Sequence, residues 1–576
     1  MVATLWHQPE SENGIVLEPG LGVYAGWVAH AGSFAARQSR AAPGSTTSLF
    51  FAGECLGREA SLADHRALRA KEAVAELNGL FAGLLIDRDQ RQALLFNDRY
   101  GSERLYTVEK DGAIYFASEA KALLAVLPEL RTFDETGVAQ WLAFGSTLGG
   151  RTLFRGIELV PSGSIWSFAP GMPLRRERYF VPTEWEPLPA LNEAEFEAQL
   201  SETFASLLPD YLGGAQRVGL SLTGGLDTRM IAACLPRDIR PDVAYTYASD
   251  DDRLLDLTIA RHVATARGIP HQALRIGDSF LAQFPRHLDR TVWISDGNAG
   301  ALAAHELPFS ELARALAPVR LTGNYGSEVL RSVSTFKRNG PGNELLDGAF
   351  AACIDAIVTE QQARVVHPVT RAAFEEVPWH LFGTLAVGRS QLTFRTPFMD
   401  NRFVELTYRA PPAARRTPAP SLRVIHDHDN ALATLPTDRG VMWGSSGLGA
   451  RLRRLSAEVN FKLDYWHKEG LPDALSRCGG FLGALSHLGL LGRHKFLAYR
   501  SWFGGTLAPY AEQVMSDART HGLPFWNRAA LGAMAREHAS GQRNRLREIH
   551  AVLTLEAVRR VLLDDASYRD GVATLA

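Results

Sequence analysis

Cysteine is scarce in this chain of 576 residues: there are four, Cys55, Cys234, Cys353 and Cys478, with no CxxC pair and no Cys/His spacing of a metal knuckle. That scarcity excludes a disulfide framework and structural zinc, and the four are expected to be reduced, buried thiols. Long uncharged apolar runs are also missing. No stretch reaches the ~18 residues of a membrane span, and the start, MVATLWHQPESENG, has no basic segment leading into an apolar one, so the expectation is a soluble, cytoplasmic chain with no membrane partner. Net charge is small as well. The 61 basic and 63 acidic residues leave a formal charge of −2, too little to draw the chain to nucleic acid, and attention turns to small molecules and peptides. What the chain has in quantity is apolar residues, 46%, over a length too great for one core, so two or three globular domains are expected.

From Met1 to about Tyr179 the chain reads as short apolar or alternating runs broken by turn residues, among them TSLFFAGE, GLFAGLLIDRDQ, QALLFNDRYG and AIYFASE, which predicts a β-rich domain. DRDQ and EKDG read as hairpin turns, SEAKALLAVLPEL has helical spacing, and TFDETGVAQWLAF reads as a helix with acidic residues in its first turn. VPTEWEPLPALNEAE, with three prolines and no strong period, reads as a linker, with a boundary near residue 190. Beyond it the pattern becomes strand, turn and helix: RVGLSLTGG and a helix from Asp227, DVAYTYAS and a helix from about Leu255, then HQALRI, and later VRLTGNYG. Strands alternating with helices predict a parallel, doubly wound sheet whose ligands sit at the carboxyl ends of its strands. After about residue 440 the composition turns rich in Arg, Leu and Ala at helical spacing, as a helical cap would be.

The sharpest local signal is Leu220-Ser221-Leu222-Thr223-Gly224-Gly225-Leu226-Asp227-Thr228, an apolar strand end running into a helix start. Gly224 and Gly225 permit close approach of backbone to ligand, amides at a helix start attract phosphate oxygens, and the hydroxyls of Thr223 and Thr228 add donors. Asp227 can hold Mg2+ against such phosphates. No lysine follows the glycines, so this is not the GxxxxGK(S/T) loop, and no GxGxxG dinucleotide fingerprint is present. The same string also makes a good helix cap, and taken alone it leaves both uses open.

Thr223 to Thr228 resembles the SGGxDS loop of ATP pyrophosphatases, which cleave ATP between the α and β phosphates. Further segments, in matching order, narrow the resemblance to the asparagine synthetase family. Asp98-Arg99-Tyr100-Gly101 resembles its RDRxG, and Phe116 to Leu124 its FASExKALL. Arg151 to Ile157 with Pro161-Ser162-Gly163 resembles its TLFxGI and PxG, Arg395 to Asp400 its RxPFLD, and Glu537 to Gly541 a stretch near its end. The resemblance covers nearly the whole chain. It implies an α/β protein: an N-terminal Ntn-hydrolase-like αββα sandwich over residues 1–185, a linker over 186–200, an ATP-pyrophosphatase-type sheet domain over 201–450 and a helical C-terminal part over 451–576.

The resemblance also shows what has changed. The family's glutaminase nucleophile is a cysteine exposed as the first residue after Met removal, where this chain has Val2, and its NGExYN segment reads Ala52-Gly53-Glu54-Cys55-Leu56-Gly57, without the oxyanion-stabilising Asn. Glutamine hydrolysis is therefore not expected. Thr322-Gly323-Asn324-Tyr325-Gly326-Ser327-Glu328 resembles the family's SG(E/D)GxDE. With one residue inserted it is closer to the SGYGSD of β-lactam synthetases, which puts Glu328 on the acidic Mg2+ ligand and Tyr325 on the tyrosine that deprotonates the attacking amine. The ungapped register puts Ser327 on the metal-ligand position and removes the tyrosine. Asp256 stands where the family has an aspartate on its second nucleotide-domain helix, and also suits a helix's first turn. Arg439 lies where the family's basic stretch ends in a lysine, and arginine does not replace lysine freely.

The implied chemistry is adenylation of a carboxylate by ATP with Mg2+ on Asp227 and Glu328. Pyrophosphate is held by Leu220, Ser221, Thr223, Gly224, Gly225, Asp227, Thr228 and Gly323, and amide formation follows with Tyr325, Glu328 and Arg439 in catalytic roles. The expected partner is a small molecule or peptide carrying a carboxylate and an amine, closed into a lactam or macrolactam as by β-lactam synthetases and lasso peptide cyclases; a biosynthetic partner protein fits the same reading. Ammonia-dependent amidation and a non-catalytic scaffold are the alternatives.

Overall fold

The computed structural model describes residues 1–40, 45–57, 62, 65–214, 216–236, 238–249, 254–444, 447–469, 494 and 496–564. Cys478 lies outside them, as does part of the expected C-terminal cap.

The N-terminal half is a layered β structure. Strands β1 (Glu12–Glu18) and β2 (Val23–Ala29) form a hairpin. Strands β3 (Thr47–Cys55), β4 (Gly79–Asp87), β5 (Gln92–Asn97), β9 (Ser164–Phe168) and β10 (Arg175–Arg178) form a five-stranded sheet in the order β10-β9-β5-β4-β3, antiparallel throughout. A three-stranded sheet, β7-β6-β8, is built from β6 (Tyr106–Lys110), β7 (Ala113–Ala117) and β8 (Glu158–Leu159). The period of two decides the layers. Phe50, Leu84, Ile86 and Leu95 turn to one side, where Val16, Val23 and Phe116 from the smaller sheets meet them, while Phe51, Phe81, Leu85 and Phe96 turn to the other and join the large core. Tyr106, Val108 and Ala117 face outward onto the helices Ala120–Val126 and Glu135–Phe144, which completes the expected αββα order. Asp111 and Gly112, at φ 51° and 75°, give EKDG the two left-handed positions that a tight hairpin needs.

The second half contains the parallel sheet. Strands β11 (Val218–Ser221), β12 (Val243–Ala248), β13 (His271–Arg275), β14 (Val319–Thr322) and β15 (Thr393–Arg395) lie in the order β13-β12-β11-β14-β15, every neighbour parallel. The chain winds one way from β11 to β13 and then returns to the other side of β11, so the switch point falls between β11 and β14. The long helix Glu193–Leu212, capped by Asn192, takes up the second half of the stretch that reads as a linker. Its Phe196, Leu200, Phe204 and Leu207 fill the core between the halves. Beyond residue 440 the described elements are helices, and Val552 and Val558 on them, with Phe525 in a turn between two of them, share a core with Trp141 and Phe154 of the N-terminal half. Among the described residues no helix is long and apolar enough to cross a membrane. Cys55 and Cys234 are buried, but Cys353 is exposed on its helix, contrary to the expectation of buried thiols throughout.

Candidate functional site

Two loops meet at the switch point. The first leaves β11, whose four residues are all buried. Leu220 is fully buried with its backbone in the ladder, and the Ser221 hydroxyl accepts from Arg320 Nη2 at 3.1 Å, so these two are strand residues beneath the loop rather than part of its mouth. Helix Leu226–Cys234 follows. The second loop leaves β14 and enters the short helix Gly326–Arg331. Glycine is what lets them touch: a Cβ on Gly323 would stand 2.6 Å from the Thr228 nitrogen, and one on Gly326 would stand 2.6 Å from Asp227 Cγ. Tyr325 between them takes φ 75°, a strained choice for a non-glycine residue.

The loop amides do not stand free. Gly224 N–H donates to Asp256 Oδ1 at 3.0 Å, Gly225 N–H to Thr223 Oγ1 at 3.3 Å and Thr223 N–H to Thr228 Oγ1 at 3.2 Å, with the two threonine hydroxyls 3.1 Å apart. An incoming phosphate would replace these side chains on the amides. Asp256 is thereby placed at the loop itself. Burial, with the charge of Asp438, raises its carboxyl to about 6, and the Gly224 amide pulls the other way.

Asp227 is raised by burial and lowered by Arg331 beside it. Ser327 Oγ donates to its Oδ2 at 2.8 Å and Arg331 Nη2 at 3.0 Å, while Oδ1 has no hydrogen bond among the described residues. Glu328 is pushed up to about 7, first by burial and then by the charges of Asp227 and Glu376, against Arg331. Asp227 and Glu328 thus sit close enough to feel each other's charge, and Arg331 Nη2 stands 3.0 Å from Asp227 Oδ1 as its counter-charge. That donor set suits a hard divalent ion whose remaining ligands are phosphate and water, since no group of three or more His, Cys, Asp or Glu gathers as a self-sufficient cage among the described residues. Tyr325 is buried, and burial holds its phenol protonated, with Glu328 reinforcing this and Arg389 opposing it.

The Arg439 guanidinium lies 4.0 Å over the Phe461 ring. The segment before it is tied to the loop by Arg229, a fully buried arginine on the helix after the loop. Arg229 donates to Gly224 O at 3.3 Å, to Pro436 O at 3.1 Å and to Leu435 O. Sequence reading passed over Arg229, Arg331 and Glu376; an arginine inside the apolar string LDTRMIAAC was the one available signal, because such a charge must find buried acceptors.

The motif Arg395 to Asp400 serves the seam between the halves. Arg395 forks onto Glu54 of β3 at 2.7 and 2.6 Å, and Asp400 accepts from Asn78 Nδ2 at 2.7 Å. Asp98 is equally structural: its carboxylate accepts the backbone N–H groups of Phe81, Tyr100, Ser102 and Glu103.

A layered amidotransferase-type domain followed by a nucleotide-type parallel sheet is the class these features define. The glutamine amidotransferase domain family matches residues 62–180, and the asparagine synthase family matches residues 208–377. Asparagine synthetase (glutamine-hydrolyzing) 1 of Bacillus subtilis is 22% identical over 281 residues, 48% of this chain and 43% of that protein. The asparagine synthetases (glutamine-hydrolyzing) of Rattus norvegicus and Gallus gallus are each 24% identical, over 60% of this chain and 58% and 59% of theirs. Alignment therefore spans about half the length of these relatives. Among solved structures, glutamine phosphoribosylpyrophosphate amidotransferase of B. subtilis covers 45% of this chain and 55% of its own at 13% identity and a TM-score of 0.19, too low to bear on the fold. The two matched stretches, and the asparagine synthetases that align with them, make this chain similar to the asparagine synthetase family.

Proposed function

We propose that this protein is an ATP-dependent amide-bond-forming ligase that adenylates a carboxylate and passes it to an amine without hydrolysing glutamine. The observation that carries this is the meeting of the Thr223–Thr228 loop with the Gly323–Glu328 turn at the switch point, where Gly323 and Gly326 lie directly against Thr228 and Asp227. In the first step a substrate carboxylate oxygen bonds to the α-phosphorus of ATP. The bond to the bridging oxygen breaks, and pyrophosphate leaves with the electron pair. Thr223, Gly224, Gly225 and Thr228 hold the departing group once Asp256 and the hydroxyls yield their amides. Mg2+ held by Asp227 and Glu328 would offset the phosphate charge. In the second step the amine bonds to the acyl carbon and AMP leaves with the electron pair of the broken acyl–oxygen bond; the amine proton passes through the Tyr325 phenol toward an unidentified glutamate other than the ion-holding Glu328, since a phenol kept protonated by burial relays a proton rather than abstracting one.

Loss of glutamine hydrolysis is supported in the other half. Val2 packs against Gly26, Ala52 offers no side-chain amide, Cys55 is 1% exposed, and Glu54 is committed to Arg395. An amine carried by the substrate itself, as in lactam or macrolactam closure of a small molecule or peptide, is the donor this favours. The scaffold reading is favoured by one observation, the self-satisfied loop amides. ATP–pyrophosphate exchange across a panel of carboxylates and peptides separates the two. Exchange with a particular carboxylate, falling roughly 10²–10³-fold or more in Asp227→Ala, is the expected result; silence across the panel together with no ATP binding would leave the scaffold.

A further inference from the structure

Resting on the ligase reading above, we propose that Arg331 is a phosphate-binding residue, the chain's own counter-charge to the departing pyrophosphate, held ready on Asp227 until a nucleotide arrives. Ser327 and Arg331 are four residues apart on the helix Gly326–Arg331, so they share a face. That face is turned to Asp227: Arg331 Nη2 lies 3.0 Å from each carboxylate oxygen and 3.0 Å from Ser327 Oγ, which itself donates to Asp227. A guanidinium therefore stands where the two loops meet, beside the carboxylate that the reaction needs for a cation.

Both of these contacts use Nη2, and among the described residues neither Nε nor Nη1 makes a hydrogen bond. The planar fork matches phosphate oxygens in pairs, which a single contact to Asp227 does not exploit. Arg331 is 13% exposed and occupies the last position of a six-residue helix, so its side chain can pivot without unfolding an element. Without nucleotide, Asp227 and Glu328 need a positive neighbour. With a triphosphate in place the excess negative charge moves to the phosphates, and Arg331 follows it. Asp227 is then released to a divalent ion. Arg331 is thus both a counter-charge to Asp227 before nucleotide binds and a clamp on the phosphates afterwards.

The test is calorimetric titration with inorganic pyrophosphate, once in EDTA and once in excess Mg2+, on the full chain and its Arg331→Met and Arg331→Lys variants. Wild type is expected to bind in EDTA. Arg331→Met should weaken binding there by ~10-fold or more, and by clearly less in Mg2+, because the freed Asp227 takes the ion. Arg331→Lys, which keeps the charge and pairing with Asp227, controls for folding and should fall between the two in EDTA. Equal losses in both buffers, as a purely structural role would give, or no loss in EDTA, would overturn the proposal. Wild-type binding only in Mg2+ would overturn it while leaving the ligase reading intact. Binding of neither pyrophosphate nor ATP in any buffer would overturn the ligase reading itself.

Discussion

Two carboxylates near glycine turns, Glu54 in the antiparallel half and Asp227 in the parallel half, each meet an arginine, and they meet it differently. Glu54 and Arg395 are 9% and 5% exposed and joined by two short parallel bonds, with Arg395 also donating to Tyr211 O and Gly213 O. Asp227 and Arg331 are 15% and 13% exposed, and Arg331 uses one nitrogen. The first pair has spent its donors on the seam between the halves. The second pair leaves two of the three guanidinium nitrogens without a hydrogen bond among the described residues, as the proposed exchange of Asp227 for phosphate would require. On the proposed ligase reading, the same charge pairing is structure in one domain and machinery in the other, and the number of donors already spent separates them.

The comparison breaks most visibly at the seam. Glu54→Leu leaves a buried guanidinium unpaired and should cost about 3–5 kcal/mol in chemical denaturation, while Glu54→Leu combined with Arg395→Met should recover most of it. A double variant as unstable as the single would mean that the pair is not the seam's main tie. In the other half, Tyr325→Phe should slow amide formation by roughly 10²-fold or more while ATP–pyrophosphate exchange continues, because the proton relay belongs to the second step alone. Loss of both activities together would place Tyr325 in nucleotide binding instead.

A pH series sharpens the contrast. Glu103, paired with Arg389 across the seam, is pushed up from 4.5 to about 7 by burial, then by Asp98 and Glu119, against Arg389. The folded state therefore holds this proton more tightly than the unfolded chain. Its contribution to stability is full below about pH 4.5 and is lost as pH rises toward 7. The difference in melting temperature between wild type and Glu103→Gln should change across that window and be flat above it. The smallest effect is expected at Arg439→Ala, which removes a stacking contact on Phe461 worth about 0.5–1 kcal/mol. A fall in exchange beyond ~10-fold would show that the guanidinium reaches the nucleotide.

Much of this was legible in the residues. The apolar runs TSLFFAGE and GLFAGLLID gave strands of the five-stranded sheet, EKDG gave the hairpin turn of the three-stranded one, and the glycine loop after RVGLSL fell at a strand end as expected. Strand β15 was not legible as a strand, since three residues carry no period, and it showed only as part of RTPFMD. Nor was the stretch before residue 200, where prolines at 182, 187 and 189 hid the helix that starts at Glu193. Asp256 looked like a first-turn acid, and its hold on the Gly224 amide follows from where two helices dock.

Local sequence decided what depends on neighbours along the chain: period, turn and the positions where only glycine fits. Tertiary structure decided the rest. The order β13-β12-β11-β14-β15 placed Ser327 and Arg331 on Asp227 across a hundred residues of chain, and the packing of the antiparallel half against the parallel one sent Arg395 to Glu54 across more than three hundred. A charged side chain's partner is chosen by which strands lie side by side and which sheets pack together, and no spacing within one strand or helix encodes that choice.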